Sequence, residues 1–402
     1  MTLSAFRVRS FRFQWPADLL TSWAFEMETL ILSWYVMVDT GSVLLLTAFG
    51  SLQFLGTLAA PMFGVLGDRL GSRAMLCAMR GAYAAFATAL MLLGLAGLLT
   101  PAWVLVIAAL AGIVRPNDQV MRNALIGETI PPPHLMGALG LSRASMDSAR
   151  VAGALVGAGL SSALGIAHAY VVVTLFYAAS LALTFGVARA HPMPDPSAAA
   201  RGAVPEASRY RDLKDGLVHV LTTPALLAPM LLAFLINLTA YPVTSGLLPY
   251  VAKRVYEVDA TGLGWLSGSF AFGALLGSIA LVATGGPARP ARAMLAYAAL
   301  WYVALLGFGQ TRSLGPAVAL LVAAGFVQSV AMISLMAAVL ERAAPRFRAR
   351  VMGVRTLAVY GLPLGLMGAG VGIERVGYPL TLGVYCVVGL AFTLLIAIRW
   401  RA

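Results

Sequence analysis

Acidic side chains are scarce in this chain: 16 Asp and Glu stand among 402 residues, and charged residues of both signs make up only 11%. Ordinary soluble domains carry about 25%, so a solvated globular surface cannot be built from this composition. Cysteine is almost absent. Cys77 and Cys386 each lie inside an apolar run, with no C-x-x-C spacing and no histidine beside them, which excludes a disulfide framework and a thiolate metal site. Histidine is as rare. His134, His168, His191 and His219 show no metal-ligand spacing and no acid placed to activate a nucleophile, so nothing supports a membrane enzyme. A phosphate-cradling G-x-x-x-x-G-K-[ST] loop is missing too, which argues against ATP-driven pumping. So is any long extramembrane stretch of the kind a receptor needs. The amino terminus has Arg7, Arg9 and Arg12 but no small-residue cleavage site, and its first apolar run is too long for a signal peptide, so it is expected to remain as the first helix.

What the chain has in quantity is apolar length. Hydrophobic residues make up 60%, in windows at 16–38, 42–63, 75–99, 103–126, 142–164, 169–188, 224–251, 261–284, 293–308, 316–340, 351–373 and 378–398. A bilayer core of roughly 30 Å is crossed by about 20 helical residues at about 1.5 Å rise, so these windows predict about twelve spans. The formal net charge of +12 has to be reconciled with that picture. With the amino terminus in the cytoplasm, all of the 28 Lys and Arg except Lys253, Arg254, Arg312 and Arg375 fall on the cytoplasmic side or the cytoplasmic part of a span. Basicity then reports topology, with both termini inside, and not nucleic-acid binding, for which no basic groove with interleaved aromatics is present.

The segment 191–204, HPMPDPSAAARGAV, breaks the helical rhythm and divides the chain. Residues 1–190 are expected to form one six-helix bundle, 191–223 a cytoplasmic linker and 224–402 a second bundle. Within the linker, Leu213, Leu217, Val218 and Leu221 recur at helical spacing between charges, which suits an amphipathic helix on the membrane surface. The halves show a trace of repetition. Gly153 and Gly157 in the fifth window match Gly361 and Gly365 in the eleventh, each pair following basic residues, Arg143 and Arg150 in one half and Arg350 and Arg355 in the other. Small residues four apart let membrane helices approach closely.

Between the second and third windows lies a short polar loop, GVLGDRLGSR at 64–73. Its Gly64, Asp68, Arg69, Gly71 and Arg73 resemble the signature loop G-x-x-x-D-R-x-G-R-R/K of the major facilitator superfamily, with Ser72 where that family carries a basic residue. The resemblance extends over nearly the whole chain. It implies an all-α membrane protein with about twelve transmembrane helices in two pseudo-symmetric six-helix bundles, a cavity lined mainly by helices one, four, seven and ten, and alternating access powered by an ion gradient. The loop's acid is then expected to engage the eleventh helix and act as a conformational latch. The stretch from Arg150 to Ala158 is similar to the G-P-x-x-G-G element of drug and proton antiporters, with Ala154 replacing the proline and Ala158 a glycine. The segment 213–224 and Arg350–Gly353 are similar to the branch that includes the enterobactin exporter.

Ionisable groups deep in a span cost roughly 2.5 to 3.5 kcal/mol on insertion scales, so each needs a partner or a function. Glu26, ten residues beyond Pro16, lies about 15 Å deep. Glu28 lies slightly farther along, but two residues on a helix turn about 200°, so the two acids cannot share a face. Ser22, Glu26, Thr29 and Ser33 form one polar stripe, and Glu28 falls on another, so Glu26 is expected to be the proton-handling acid. Arg115, Asp118, Gln119 and Arg122 recur at three and four residues in the fourth window, on one helical face and at a depth from which Arg115 can reach Glu26. The alternative for Arg115 is a pair with Asp118 that merely offsets burial. Arg143, Asp147 and Arg150 form a similar stripe, expected to act in gating. Arg80 is expected to support the signature loop or to snorkel.

The second half offers few such groups. Asn237, Tyr241, Gln328 and Met332 are the expected cavity-lining residues there. A titratable first half and an apolar second half suit an amphiphilic or cationic organic substrate better than a sugar. The sequence therefore predicts a bacterial inner-membrane transporter, exchanging protons for a small organic molecule on its way out. It is expected to work as a monomer in membrane lipid, with no cofactor beyond the proton gradient; an uptake or lysolipid-flipping transporter of the same fold is the alternative.

Overall fold

A computed structural model of the chain describes residues 2–57, 70–188, 218, 220–343 and 348–399. Among the described residues, ordered elements are helical and no strand occurs. The described part of each of the twelve apolar windows is mostly helical. Most of the signature loop, including Gly64, Asp68 and Arg69, falls outside the described residues, as do segment 191–204 and nearly all of the expected amphipathic helix.

Helix α1 (Arg9–Thr40) has 32 residues and starts well before the apolar window opens. It ends at Gly41, whose positive φ of 63° lets its amide donate back to the Met37 carbonyl. Ser42 then caps α2 (Val43–Leu52), accepting from the Leu45 amide. Helix α3 (Ser72–Leu95) is preceded by Gly71 at φ 85°. The fourth span is split. Helix α4 (Pro101–Val114) passes through a 3-10 turn at Arg115–Asn117 into α5 (Asp118–Thr129). Pro116 lacks the amide that would continue the α-helical ladder. The fifth and sixth spans follow as one long helical run, α6 (Pro132–Phe185), broken at Gly165, where φ 77° and ψ 167° reverse the chain without a loop.

In the second half α7 (Pro224–Thr239) gives way to two short helices, α8 (Tyr241–Ser245) and α9 (Leu248–Tyr250), and a π-turn at Val251–Val255. Prolines at 242 and 249 each sit at the second position of the segment they begin. The spans α10 (Ala260–Thr284), α11 (Pro290–Gln310), α12 (Leu314–Arg342), α13 (Arg348–Leu357), α14 (Gly361–Val376) and α15 (Tyr378–Arg399) complete the chain.

Two compact units result, Met1–Pro194 with Glu257–Gly268, and Asp195–Tyr256 with Ser269–Ala402. In the first, Met27, Ile31, Leu76, Leu125 and Val173 belong to one buried core. In the second, Ile236, Trp301, Leu305, Leu321 and Leu335 are buried. Large apolar side chains also remain exposed, among them Leu175, Val282, Leu395 and Ile398. Such surfaces suit lipid, where helices satisfy their own backbone groups.

The glycine pairs do in each unit what their spacing predicts. A Cβ added at Gly157 would lie 2.9 Å from the Met27 Cα, and one at Gly153 would lie 2.7 Å from the Glu26 Cβ. In the second unit a Cβ at Gly361 would lie 2.6 Å from the Phe234 carbonyl oxygen and 3.1 Å from the Asn237 Cβ, and one at Gly365 would collide with the Leu238 carbonyl. The fifth span thus packs on the first, and the eleventh on the seventh, through the same two-glycine seam.

Candidate functional site

The first unit gathers its buried charge into two clusters, both hung on α1. In the upper one the Glu28 carboxylate pairs with the Arg115 guanidinium and accepts from the hydroxyls of Tyr177, at 2.8 Å, and Tyr170, at 3.2 Å. Tyr170 and Tyr177 are seven residues apart in the second arm of α6, and so fall on one face. Arg115 also donates to Gln53, at 3.0 Å, and Thr29, at 3.2 Å, and its guanidinium carbon lies 4.5 Å from the Phe25 ring centroid. The carboxylate is nearly sealed, with a side-chain exposure of 6%.

Two expectations are corrected here. Arg115 meets Glu28 and not Glu26, because the rotation between the two positions turns Glu28 toward the fourth and sixth spans and Glu26 toward the fifth. Glu26 instead faces Arg150 across 3.8 Å, and both remain partly exposed, at 37% and 50%. Nor do Arg115, Asp118, Gln119 and Arg122 line one face. The 3-10 turn at Arg115–Asn117 divides them, and Arg115 does not pair with Asp118. Gln119 bonds Asn123 on the exposed side, at 3.2 Å.

Asp118 and Arg122 belong to the second cluster. They pair with each other one turn apart, and the Arg122 Nε lies 3.8 Å from the Asp18 carboxylate, which also pairs with Arg80. Arg122 further donates to the Ser22 hydroxyl at 2.8 Å and to the Asp18 carbonyl at 3.1 Å, and Arg80 donates to Thr184. Arg80 is fully buried, so it does not snorkel to the surface. Two aspartates and two arginines balance in formal charge, and they tie the first, third, fourth and sixth spans together. Asp18 was not singled out in the sequence because it lies only two residues into its window; its spacing of four from Ser22 was the available signal.

The remaining first-unit residues act locally. Ser33 donates to the Leu30 carbonyl on its own helix. Arg143, largely exposed, pairs at 3.3 Å with the mostly covered Asp147 one turn on. From the described end of the signature loop, Arg73 donates to the Phe185 carbonyl at 2.6 Å, at the carbonyl-rich end of α6. Ser72 donates to Glu128.

The second unit brings together Tyr241 and Gln328, whose side-chain amide donates to the tyrosine hydroxyl at 2.7 Å. The Trp301 ring meets Tyr241 edge-on, with centroids 5.1 Å apart. Asn237 donates to the Ala233 carbonyl of its own helix at 2.9 Å. Met332 is half-buried one turn beyond Gln328.

Chemically, the upper cluster is a carboxylate held by one cation and two phenols. Protonation of Glu28 would cancel the attraction that holds Arg115, and the guanidinium would keep Gln53, Thr29 and the Phe25 face as neutral partners. The lower cluster has no comparable release, since Asp18 and Asp118 are each held by an arginine locked elsewhere.

A family model described as the Major Facilitator Superfamily matches residues 15–368. No curated protein matches the sequence. Among solved structures, the chain is similar to a bacterial homologue of the human lysosomal transporter Spinster, at 16% identity and a TM-score of 0.68, with 97% of this chain and 96% of that one covered. It is similar to the human organic anion transporter MFSD10 (TETRAN), at 18% identity and a TM-score of 0.62, covering 96% and 99%. The nucleoside transporter NupG aligns at 12% identity and a TM-score of 0.70, covering 98% of each chain. At such identities the likeness is one of fold.

Proposed function

The chain belongs to the Major Facilitator Superfamily, and on that premise we propose that it is a secondary transporter that couples proton movement through Glu28 to the export of a small amphiphilic organic molecule. As a member of that family it is a multi-pass membrane transporter and not an enzyme. The observation that carries the coupling is the pairing of a nearly sealed carboxylate with Arg115 and with the hydroxyls of Tyr170 and Tyr177. An ion pair out of water is costly unless its remaining polar sites are filled. Here Glu28 accepts from two phenols and Arg115 donates to Gln53 and Thr29, which fills most of those sites and leaves only the buried Arg115 Nε without a partner among the described residues.

Proton uptake by Glu28 removes one charge and leaves Arg115 attached only to neutral groups. Arg115 sits in the 3-10 turn that joins α4 to α5, so its release bears on the backbone of the fourth span. That is the step by which titration becomes movement in an alternating-access cycle. Export in exchange for protons is supported by the resemblance of the Arg150–Ala158 stretch to antiporters. The basic termini support an inner-membrane location with both ends in the cytoplasm.

The test is flux in proteoliposomes of the full chain, driven by an imposed pH difference, with a panel of amphiphilic organic molecules. Glu28→Gln is expected to abolish pH-driven flux, whereas Glu26→Gln, which removes only a half-exposed partner of Arg150, keeps at least half of it. Retention of pH-driven flux by Glu28→Gln would remove that residue from the coupling step.

A further inference from the structure

Two helices of the second unit, α11 and α15, enclose a cleft whose ends differ in character. Gly309 of α11 lies so close to Leu382 of α15 that a Cβ would collide, and Gly389 of α15 lies as close to Tyr302 of α11. The two contacts are seven residues apart on each helix and run in opposite directions, so the helices pack antiparallel in a steady register. Ten residues farther along each helix, the same register brings Arg292, near the start of α11, level with Arg399, the last residue of α15. Between the glycine contacts and this basic end lies a cleft of about 420 Å³, with Arg292 at its mouth and Leu295, Ala296, Ala299, Leu394 and Ala397 in its walls.

The alanines at 296, 299 and 397 leave the room, and the wall is apolar. Thr393, which also lines it, donates its hydroxyl to the Gly389 carbonyl of its own helix. From Arg292 to Ala299 the cleft runs about 10 Å along α11. Leu394 is half exposed, and Leu395 and Ile398 beside it are more so, so the cleft opens onto a surface suited to lipid. At its mouth the charge is of one sign. Neither α11 nor α15 contains Asp or Glu, and Arg289 adds a third cation three residues before Arg292. Guanidinium groups at the level where both helices end, continuous with an apolar slot, match a phosphate head that carries an acyl chain.

We propose that this cleft binds one anionic phospholipid, its phosphate between Arg292 and Arg399 and one acyl chain in the slot between α11 and α15. The guanidinium fork suits phosphate oxygens, and basic pockets between membrane helices attract anionic heads. A zwitterionic lipid fits the same slot, but its own cation offsets part of the attraction. A second copy of the chain is the poorer occupant, because a two-fold contact about an axis along the membrane normal would set the same arginines against themselves at one level. The site is separate from the transport reaction and does not depend on the coupling step.

The full chain, delipidated in detergent and titrated with dioleoyl phosphatidylglycerol or dioleoyl phosphatidylcholine in native mass spectrometry, tests it. Wild type is expected to bind the first phosphatidylglycerol at least tenfold more tightly than the first phosphatidylcholine. The double variant Arg292→Gln, Arg399→Gln should bring the two lipids to within about threefold and leave phosphatidylcholine binding unchanged. Both side chains are exposed, so the fold is expected to survive, as an unchanged unfolding midpoint would show. Ala296→Trp fills the slot with the charges intact and should weaken phosphatidylglycerol at least fivefold. Equal binding of the two lipids by wild type, or undiminished phosphatidylglycerol binding in either variant, would overturn the proposal. Arg375→Gln removes an exposed cation near the end of α14, outside the cleft. A loss there as large as in the double variant would assign the effect to net charge and overturn the site. Displacement of phosphatidylglycerol by an equal concentration of inorganic phosphate would mark a free-anion site and overturn the lipid. A wild-type dimer that Ala296→Trp splits, with no lipid retained, would give the cleft to a second copy and overturn it as well.

Discussion

Glu28 and Glu26 are two residues apart, and their surroundings assign them different work. The Tyr177 hydroxyl donates to the same carboxylate oxygen that Arg115 grips. Hydrogen bonds to charged groups are worth about 1.5 to 3 kcal/mol, so Tyr177→Phe is expected to lower pH-driven flux about threefold to tenfold while the protein stays folded. Flux of the phenylalanine variant within a factor of two of wild type would show that the phenol does not hold the acid. Arg115→Lys should lose at least tenfold in the same assay, because a single ammonium cannot bridge Glu28, Gln53 and Thr29 at once as the fork does. That both acids and Arg115 fall within long helical segments of the first unit was legible in the sequence, since charge in an apolar window is visible by inspection. The pairing was not, because which acid meets Arg115 depends on how α1 is rotated against the fourth and sixth spans. Tyr170 and Tyr177 carried a signal in their seven-residue spacing. Gln53, a lone amide in an uncharged run, carried one too.

At the scale of elements, the clamp around Asp18 sets how the spans of the first unit are fastened. Arg80→Gln would leave Asp18 with Arg122 alone and remove the donor to Thr184. Breaking a buried pair costs about 3 to 5 kcal/mol, so a clear fall in the thermal unfolding midpoint of the detergent-solubilised protein is expected. A midpoint within a degree of wild type would show the clamp to be energetically idle. The glycine seam gives a second element-level test. Gly157→Leu would force a side chain into Met27 and should cost about 1 to 3 kcal/mol, as overpacking does, read by the same unfolding curve. Uncharged length made the helices legible, and spacing made the seam legible. The breaks were harder to place, although Pro116, Gly165 and Pro242 are all visible in the sequence. A proline or glycine permits a break, and only the packing of the two arms decides whether it becomes a 3-10 turn, as at Arg115–Asn117, or a full reversal, as at Gly165.

For the whole molecule, the proposed chemistry separates two kinds of transport that are usually measured together. In the proposed mechanism, net export against a gradient requires Glu28 to load and unload a proton once per cycle. Exchange of labelled for unlabelled substrate requires only that the loaded carrier change the side to which it opens, and it needs no net proton movement. Glu28→Gln mimics the protonated acid in size and charge, so Arg115 is permanently without its ion pair, which in the proposed mechanism frees the fourth span. The expected outcome is dissociation of the two rates: pH-driven net flux falls to the background of empty liposomes, while exchange without a pH difference stays within about threefold of wild type. The signature-loop acid should affect the opposite quantity. The resemblance to the family motif implies a latch role for Asp68; on that reading Asp68→Asn is expected to change how readily labels reach each membrane face, with pH coupling preserved per molecule transported. If Glu28→Gln lost exchange and net flux together, Glu28 would be a structural or substrate-binding acid and the coupling step would have to be sought elsewhere, with Glu26 and its exposed partner Arg150 as the next pair to test.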